Sequence, residues 1–354
     1  MLSRHLIDLD DLSIHDLHSI LKLAHEIKER PGDYFGVCQN KILATLFYEP
    51  STRTQMSFQT AMLRLGGQTI GFDNPMNSSV AKGENLKDTI KIVSGYADVI
   101  AVRNPQEGFA KAASLYSNCP IINAGDGGHL HPTQTLTDLT TLMEVKGDLN
   151  GLTIGLCGDL KFGRTVHSLI KTMCHFGAKF ILISTKELTV PQYIKDIMDA
   201  AGCAYMEVTT LEEAMPMLDV LYMTRVQQER FSSLEEYERL KNVYVLDKRK
   251  MALGKKDLSV LHPLPRVDEI VPDVDEDSRA IYFDQAIYGM YARMSLIIHM
   301  LDNKNYYPVH FGKHYQAKCC NPRCVTQKET YLPSTFTDCG DMLICDYCDE
   351  RTLI

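Results

Sequence analysis

The sequence predicts an α/β protein with two doubly wound parallel-sheet domains and the active site in the cleft between them, followed by a small cysteine-rich segment. Three observations predict it. Short apolar runs alternate with helical periodicities in two successive series, the pattern of βα units. Polar, anion-friendly residues cluster where those runs end, which is where open α/β sheets bind ligands. Of the 11 cysteines, six (Cys319, Cys320, Cys324, Cys339, Cys345 and Cys348) crowd into the C-terminal segment, while Cys38, Cys119, Cys157, Cys174 and Cys203 are scattered.

In chain order, Leu17, Ile20, Leu21, Ala24 and Ile27 recur at helical spacing behind Ser13, and Pro31-Gly32 stops the pattern, so residues 12–30 form an opening helix. The run at 42–47 is a strand. It leads through Phe47-Tyr48-Glu49-Pro50-Ser51-Thr52-Arg53-Thr54 into a helix bearing Phe58, Ala61, Met62 and Leu65, which Gly66-Gly67 ends. Residues 69–72, 99–102 and 120–124 read as the next strands, with a polar loop at 78–84 and helices at 86–93 and 109–116. A helix at 135–145, with Leu136, Leu139, Leu142 and Met143 on one face, leaves the first domain.

The second series has strands at 152–157, 180–184, 204–208, 220–223, 243–246 and 260–261, and its first helix carries Val166, Leu169, Ile170 and Met173. The turn Gly158-Asp159-Leu160-Lys161-Phe162-Gly163-Arg164 lacks the G-x-G-x-x-G spacing, so no dinucleotide is inferred. The long helix at 285–302 is placed to pack back on the first domain, and residues 303–314 read as a linker.

At 354 residues and 45% hydrophobic content, the chain can fill two cores and carry an appendage. The formal charge of 37 − 45 = −8 argues against a nucleic-acid surface, so any anion site is local. No apolar run reaches membrane-spanning length, and the start breaks into acidic residues before a signal-type segment develops, so the expectation is a cytoplasmic protein with no membrane association. The scattered cysteines read as buried thiols of a reducing compartment.

The stretch around Ser51-Thr52-Arg53-Thr54 carries the most chemistry. Pro50 cannot continue a ladder and the hydroxyl residues are cap types, so free first-turn amides, hydroxyls and the forked cation of Arg53 converge above the strand end. Phosphate or carboxylate fits there. Alone, the tetrapeptide reads more readily as an ordinary capped helix with a surface arginine. It recurs, however, with Ser78 through Lys82-Gly83-Glu84, Arg103-Asn104-Pro105-Gln106-Glu107-Gly108, His131-Pro132-Thr133-Gln134, Gly158-Asp159 through Gly163-Arg164-Thr165, Thr224-Arg225-Val226-Gln227 and His262-Pro263-Leu264-Pro265-Arg266. Together these blocks resemble the aspartate/ornithine carbamoyltransferase family, and its aspartate branch in particular, over nearly all of residues 1–310.

The resemblance implies transfer of a carbamoyl group from carbamoyl phosphate to L-aspartate, giving N-carbamoyl-L-aspartate and phosphate in de novo pyrimidine biosynthesis, with no organic cofactor. It implies that residues 1–134, completed by the helix at about 285–305, bind carbamoyl phosphate, and that residues 135–284 bind aspartate. Ser51, Thr52, Arg53, Thr54 and Arg103 would contact phosphate. Thr54, Arg103 and His131 would hold the carbonyl oxygen and Gln134 the carbamoyl amide, with Pro263 and Leu264 completing that substrate's site. Arg164, Arg225, Gln227 and Lys82 would hold aspartate. The catalytic set is Arg53, Thr54, Lys82, Arg103, His131 and Gln134, with Ser78 and Lys82 supplied by the neighbouring subunit of a homotrimer, itself open to higher assembly. The ornithine branch carries cysteines in its equivalents of the His131 and His262 blocks, and a cationic acceptor would want acids where Arg164 and Arg225 stand. A non-catalytic zinc-containing binding protein on the same fold is the rival of a different class.

In the C-terminal segment, Cys319-x₄-Cys324 and Cys345-x₂-Cys348 supply two thiolate pairs with knuckle spacing, which suits one tetrahedral structural zinc per chain. Residues 315–354 are too few to bury a self-sufficient core, so a metal would supply what the core lacks. A redox pair, a disulfide knot or a nucleic-acid finger fits a reducing compartment and a non-basic segment less well. Cys320 and Cys339 are spare thiols, and the choice of Cys319 over Cys320 stays open. The segment resembles the zinc domain of the aspartate carbamoyltransferase regulatory chain without its nucleotide domain, so docking on a catalytic domain is expected and a CTP or ATP effector site is not.

Overall fold

A computed structural model of the chain describes residues 2–3, 5–226, 233, 235, 244–302, 306–307 and 311–353. The chain divides into two compact units, Met1–Leu136 with Gly289–Ile354, and Thr137–Tyr288.

The first unit opens with helix α1 (Ile14–Glu29), whose N-cap Ser13 accepts from the Asp16 amide at 3.1 Å and whose buried stripe is Leu17, Ile20, Leu21, Ala24 and Ile27. Strands β1 (Ile42–Phe47), β2 (Gln68–Phe72), β3 (Val99–Asn104) and β4 (Ile121–Asp126) form a parallel sheet in the order β2-β1-β3-β4. Helices α2 (Thr52–Arg64), α3 (Leu86–Val93) and α4 (Phe109–Ser114) connect them. The central strands are continuously apolar because both faces are covered, whereas the edge strand β2 is largely exposed. The β3–β4 register shifts between Val102 and Asn104, an irregularity that falls on Arg103. Helix α5 (Pro132–Lys146) starts three residues earlier than its apolar stripe predicts, since Pro132 suits a first helical position.

The second unit is built on β5 (Thr153–Cys157), β6 (Lys179–Ile183), β7 (Tyr205–Val208), β8 (Val220–Met223) and β9 (Ser259–Leu261), all parallel in the order β9-β8-β5-β6-β7. Helices α6 (Arg164–Cys174) and α7 (Gln192–Ala200) pack on it. The strand expected at 243–246 is not one: Leu246 makes an isolated parallel bridge to Ile270, and Val243 lies outside the described residues. An isolated apolar run cannot be distinguished from a sheet strand without knowing its pairing partner. Helix α8 (Tyr282–Asp302) leads back to the first unit.

There the C-terminal segment forms an antiparallel sheet, β10 (Lys313–His314), β11 (Thr335–Asp338), β12 (Met342–Cys345) and β13 (Arg351–Leu353), in that order. The expected linker therefore ends sooner: Lys313 and His314 pair with Phe336 and Thr335, and the Gly312 amide donates to Asp346 Oδ2 at 2.7 Å. Phe336, Leu343, Tyr347, Leu332 and Val325 join Ile90, Phe109 and Ala113 in one continuous buried cluster of the first unit.

Candidate active site

In the first unit the β1 exit, the start of α2 and the ends of β3 and β4 converge. The Tyr48 amide donates to Arg103 O at 2.8 Å, continuing the β1–β3 ladder past Phe47 and Arg103. Ser51, the residue before α2, makes no side-chain cap bond, and its hydroxyl donates instead to Thr54 Oγ1 at 3.0 Å. No side chain of the turn therefore competes for the first-turn amides, and the dipole end of α2 is open to an anion. Thr52 and Arg53 are exposed on that turn, while Thr54 is buried.

Arg103, with its side chain 12% exposed, is the central cation of the site. Its Nη2 lies 2.6 Å from Glu49 Oε1, and its Nη1 donates to Ala124 O at 3.1 Å and lies 3.4 Å from His131 Nε2. Burial pulls its pKa down from the ordinary guanidinium value and the Glu49 carboxylate opposes that pull. Because arginine only donates, His131 Nε2 is the acceptor in this arrangement, which puts the ring proton on Nδ1. Gly125, at φ +122°, leaves the space that Arg103 Nη1 fills: a Cβ there would lie 2.5 Å from it. Gln134 is half-buried in the first turn of α5, and its amide donates to His131 O at 2.9 Å. Ser78 and Lys82 stand on a separate loop of two 3₁₀ turns, Pro75–Asn77 and Ser79–Lys82. The Ser78 hydroxyl donates to Pro75 O at 2.7 Å and Lys82 is exposed.

In the second unit Arg164 opens α6 and Arg225 follows β8 by two residues. Their loops leave neighbouring strands, since Cys157 of β5 pairs with Met223 of β8. Thr224 stitches them together: Oγ1 accepts from the Asp159 amide at 3.1 Å and donates to Cys157 O at 3.0 Å. Gly158, at φ +114°, admits this contact, because a Cβ there would lie 2.3 Å from Thr224 O. Both arginines are half-buried, and Gln227 lies outside the described residues. Pro263 and Leu264 follow β9. The Leu264 amide donates to His262 Nδ1 at 2.7 Å, so the proton on His262 Nε2 goes to Glu269 Oε1 at 2.8 Å. Burial raises the Glu269 pKa, but the His262 hydrogen bond and further donors hold it below the usual carboxylate value. Arg266 is committed to Asp275 and to Tyr282 Oη, so it is a structural ion pair.

The profiles described as "Aspartate/ornithine carbamoyltransferase, carbamoyl-P binding domain" and "Aspartate/ornithine carbamoyltransferase, Asp/Orn binding domain" match residues 4–144 and 150–300. A curated relative from Clostridium perfringens, "Aspartate carbamoyltransferase catalytic subunit", is 60% identical over 301 residues, 84% of this chain and 98% of its own. The chain belongs to this family. Another catalytic subunit, from Clostridium novyi, is 60% identical over 299 residues with the same coverages, 84% and 98%. Among solved structures, the catalytic subunit of M. jannaschii aspartate transcarbamoylase is 44% identical with a TM-score of 0.80, covering 85% of this chain and 99% of that one. Aspartate transcarbamoylase from Trypanosoma cruzi, in complex with N-(phosphonacetyl)-L-aspartic acid, is 36% identical with a TM-score of 0.79, covering 84% and 96%. The same Trypanosoma cruzi enzyme in complex with carbamoyl phosphate and aspartate is 35% identical with a TM-score of 0.76, again covering 84% and 96%. The expected family and the two parallel-sheet α/β folds are borne out.

The family profiles end at residue 300, before the cysteine segment. There Cys319, Cys324, Cys345 and Cys348 are buried, with their sulfurs all within 4.8 Å of one another, a group able to hold a metal ion. Four thiolates about 2.3 Å from a tetrahedral metal stand about 3.8 Å apart. Here Cys319 Sγ and Cys348 Sγ are 3.5 Å apart, and Cys324 Sγ and Cys345 Sγ 3.9 Å. Cys320 is exposed, with its thiol 3.2 Å from Thr352 Oγ1, and Cys339 is also exposed.

Sequence reasoning missed the part played by three residues around the family site: Glu49, which pairs with Arg103; Asp126, which accepts from the amides of Gly108 and Leu130 at 2.9 and 2.8 Å; and Glu107. Glu49 lies inside the quoted stretch at 47–54, yet a carboxylate in an anion site has no signature without the distant arginine it faces.

Proposed function

We propose that this chain transfers the carbamoyl group of carbamoyl phosphate to the amino group of L-aspartate, releasing phosphate, as a step of pyrimidine biosynthesis. The observation that carries the reading is Arg103: a half-buried guanidinium beside His131, in the same unit as the open first turn of α2, suits a phosphorylated carbonyl. The relatives' names support it, as do the carbamoyl phosphate and aspartate in complex with the Trypanosoma cruzi enzyme. Ser51, Thr52, Arg53 and Thr54 take the phosphate. Thr54, Arg103 and His131 take the carbonyl oxygen, Gln134 the carbamoyl amide, and Pro263 and Leu264 complete that substrate's contacts. Arg164, Arg225 and Gln227 take the carboxylates of aspartate.

The chemistry follows from these placements. The aspartate amine attacks the carbonyl carbon, negative charge grows on the carbonyl oxygen, the carbon–oxygen bond to phosphate breaks, and phosphate leaves with the amine proton. Donors fixed on that oxygen are each worth about 10²–10³ in rate, and alignment of the two substrates contributes the rest. Arg103 also offsets phosphate charge, in exchange for the Glu49 carboxylate it holds without ligand. No nucleophilic side chain is required.

Ser78 and Lys82, on their exposed loop, are assigned to the site of a neighbouring subunit in a homotrimer, with Lys82 reaching aspartate. Zinc is the metal of the four-cysteine group. Its all-sulfur shell has no open position, so its role is structural. The free, buried Cys38, Cys119, Cys157, Cys174 and Cys203 fit a reducing cytoplasm.

The test is a carbamoylation assay on purified protein with carbamoyl phosphate and either L-aspartate or L-ornithine. Carbamoylaspartate with no citrulline is the expected result. Citrulline in its place would move the acceptor to ornithine, and neither product would leave a metal-containing binding protein.

A further inference from the structure

His129 belongs to none of the assigned roles, yet both of its ring nitrogens are committed. Nδ1 lies 2.9 Å from Asp126 Oδ2 and Nε2 lies 2.9 Å from Asp349 Oδ2. Two carboxylate acceptors require two N–H donors, so the ring is held as the imidazolium. Burial opposes the charge, but the two carboxylates outweigh it and hold the pKa well above the ordinary histidine value. The residues at its two ends explain what such a bridge does.

Asp126, 1% exposed, is where two loops of the phosphate-side site are tied together. Its Oδ1 accepts from the Leu130 amide at 2.8 Å, fixing the turn that delivers His131. Its Oδ2 accepts from the Gly108 amide at 2.9 Å, fixing the loop that follows Arg103. The Gly127 amide meanwhile donates to Asn104 O at 2.8 Å. Asp349, at the other end, follows Cys348 directly, and its amide donates to Cys345 O at 3.0 Å. It therefore moves with the second cysteine knuckle.

The first knuckle has its own tether to the same two loops. The Glu107 amide donates to Arg323 O and the Val325 amide to Glu107 O, both at 2.9 Å. The Glu107 carboxylate accepts from Asn321 Nδ2 at 2.6 Å and from the Gly128 amide at 3.3 Å. Gly108, at φ +83°, lets the Tyr347 backbone approach, since a Cβ there would lie 2.5 Å from Tyr347 O. The two loops are thus clamped at two points to the two knuckles, and joining the knuckles closes a ring of contacts around Asp126.

We infer that His129 is a positioning residue, which through Asp349 makes the cysteine-rich segment a brace for the loops that carry Arg103 and His131. The inference rests on the proposed carbamoyl transfer for its kinetic consequence but not for its structural one. Severing the bridge leaves every proposed substrate contact in place and loosens two of the groups that hold the carbonyl oxygen. A misplacement of about 1 Å there costs on the order of 10²-fold, and partial loosening a smaller factor, about tenfold.

The test compares full-length wild-type protein with Asp349→Ala, His129→Ala and His129→Gln, the last neutral and with both its N–H donors on one nitrogen rather than on two sides of a ring. Asp349 is more than half exposed on the surface, so its truncation leaves the fold intact even where His129→Ala does not. Asp349→Ala is expected to lower kcat about tenfold with the aspartate KM unchanged, with His129→Gln close to it. It is also expected to speed hydrogen–deuterium exchange of amides 104–108 and 126–131 at least threefold. Combining His129→Gln with Asp349→Ala is expected to add little to either single change. Unchanged exchange in those two loops overturns the brace whether or not the wild type turns over, whereas a wild type inactive towards aspartate refutes only the proposed function. Faster exchange with kcat within twofold of wild type overturns the positioning role.

Discussion

Gly125→Ala offers a substitution that adds one methyl group and removes no polar contact. The glycine sits at φ +122°, where a Cβ would lie 2.5 Å from Arg103 Nη1 and 3.6 Å from His131 Cδ2. Ordinary contact begins near 3.4 Å, so the guanidinium must retreat by about 3.4 − 2.5 = 0.9 Å. The group that yields is the tip of a long side chain, so the steric part of the cost to stability is small. The backbone part, alanine held at a strongly positive φ, is about 1–3 kcal/mol. For catalysis the ranking reverses, because Arg103 is pinned to Glu49 and Ala124 and its tip is the part proposed to touch the carbonyl oxygen and phosphate. A displacement near 1 Å predicts a fall of about 10²-fold in kcat/KM for carbamoyl phosphate. Gly177→Ala is the control, with φ +61° and nothing within 4 Å of a Cβ. Steady-state kinetics and thermal melts of the three proteins separate the effects: both variants melt lower and only Gly125→Ala loses turnover. Retention of kcat/KM within threefold in a folded Gly125→Ala protein would refute the placement of Arg103 as the origin of carbonyl activation.

Three more outcomes are expected. Arg53→Ala and Lys82→Ala each lose most turnover while keeping the wild-type melting temperature, and a mixture of the two regains part of it on subunit exchange; no recovery after proven exchange shows that sites are not shared. Cys324→Ser protein carries less than half an equivalent of zinc and melts several degrees lower, because the sulfurs sit within the buried cluster of the first unit, whereas Cys339→Ser matches wild type in both measurements. His167 is half-buried, with Nε2 on Leu160 O and Nδ1 taking the Tyr193 hydroxyl, and loss of water around the ring lowers its pKa to about 4. The unfolded chain binds a proton that the folded chain does not between about 6.5 and about 4, so this residue's effect is absent above that window and stability falls as pH drops through it, by about 2–3 kcal/mol at pH 4.5. Urea melts at pH 7.5 and 4.5 check this, and a His167→Gln protein with the same pH loss as wild type contradicts it.

What was legible in the sequence was whatever repeats at short range. The strands at 42–47 and 220–223 and the helix behind Ser13 were visible because continuous apolar runs and 3.6-residue stripes are local. The Ser51–Thr54 turn was visible for the same reason, as hydroxyls and an arginine adjoin a strand end. Glu49, Asp126 and His129 were not, since each acquires meaning from a partner distant in sequence: Glu49 from Arg103, and His129 from Asp349, 220 positions away. The segment at 243–246 failed in the opposite sense, as a plausible run whose Leu246 finds only a bridge to Ile270. In the cysteine segment the thiol spacing was readable, but its short strands β10 to β13 were not, because runs of two to four residues carry too little periodicity. What separates Cys319 from Cys320 is packing, invisible in the spacing: one thiol is buried beside Cys324, Cys345 and Cys348, and its neighbour is exposed.

The first unit is discontinuous, and this governs the order in which the chain can mature during synthesis. Its sheet leaves the ribosome early, but the apolar face formed by Ile90, Phe109 and Ala113 is covered by Val325, Leu332, Phe336 and Leu343, which are made more than 200 residues later. At about 5–20 residues per second that interval is at least about 10 s, during which the whole second unit appears and can fold. A nascent chain in this state presents an uncovered apolar face of α3 and α4 that chaperones or like molecules can capture, and contacts of such long sequence separation close slowly. With the proposed zinc on the four cysteines, metal supply becomes a quality-control step: a cell short of that metal would accumulate chains whose first-unit loops are present and whose cover is missing, and aggregation rather than inactivity would be the first symptom.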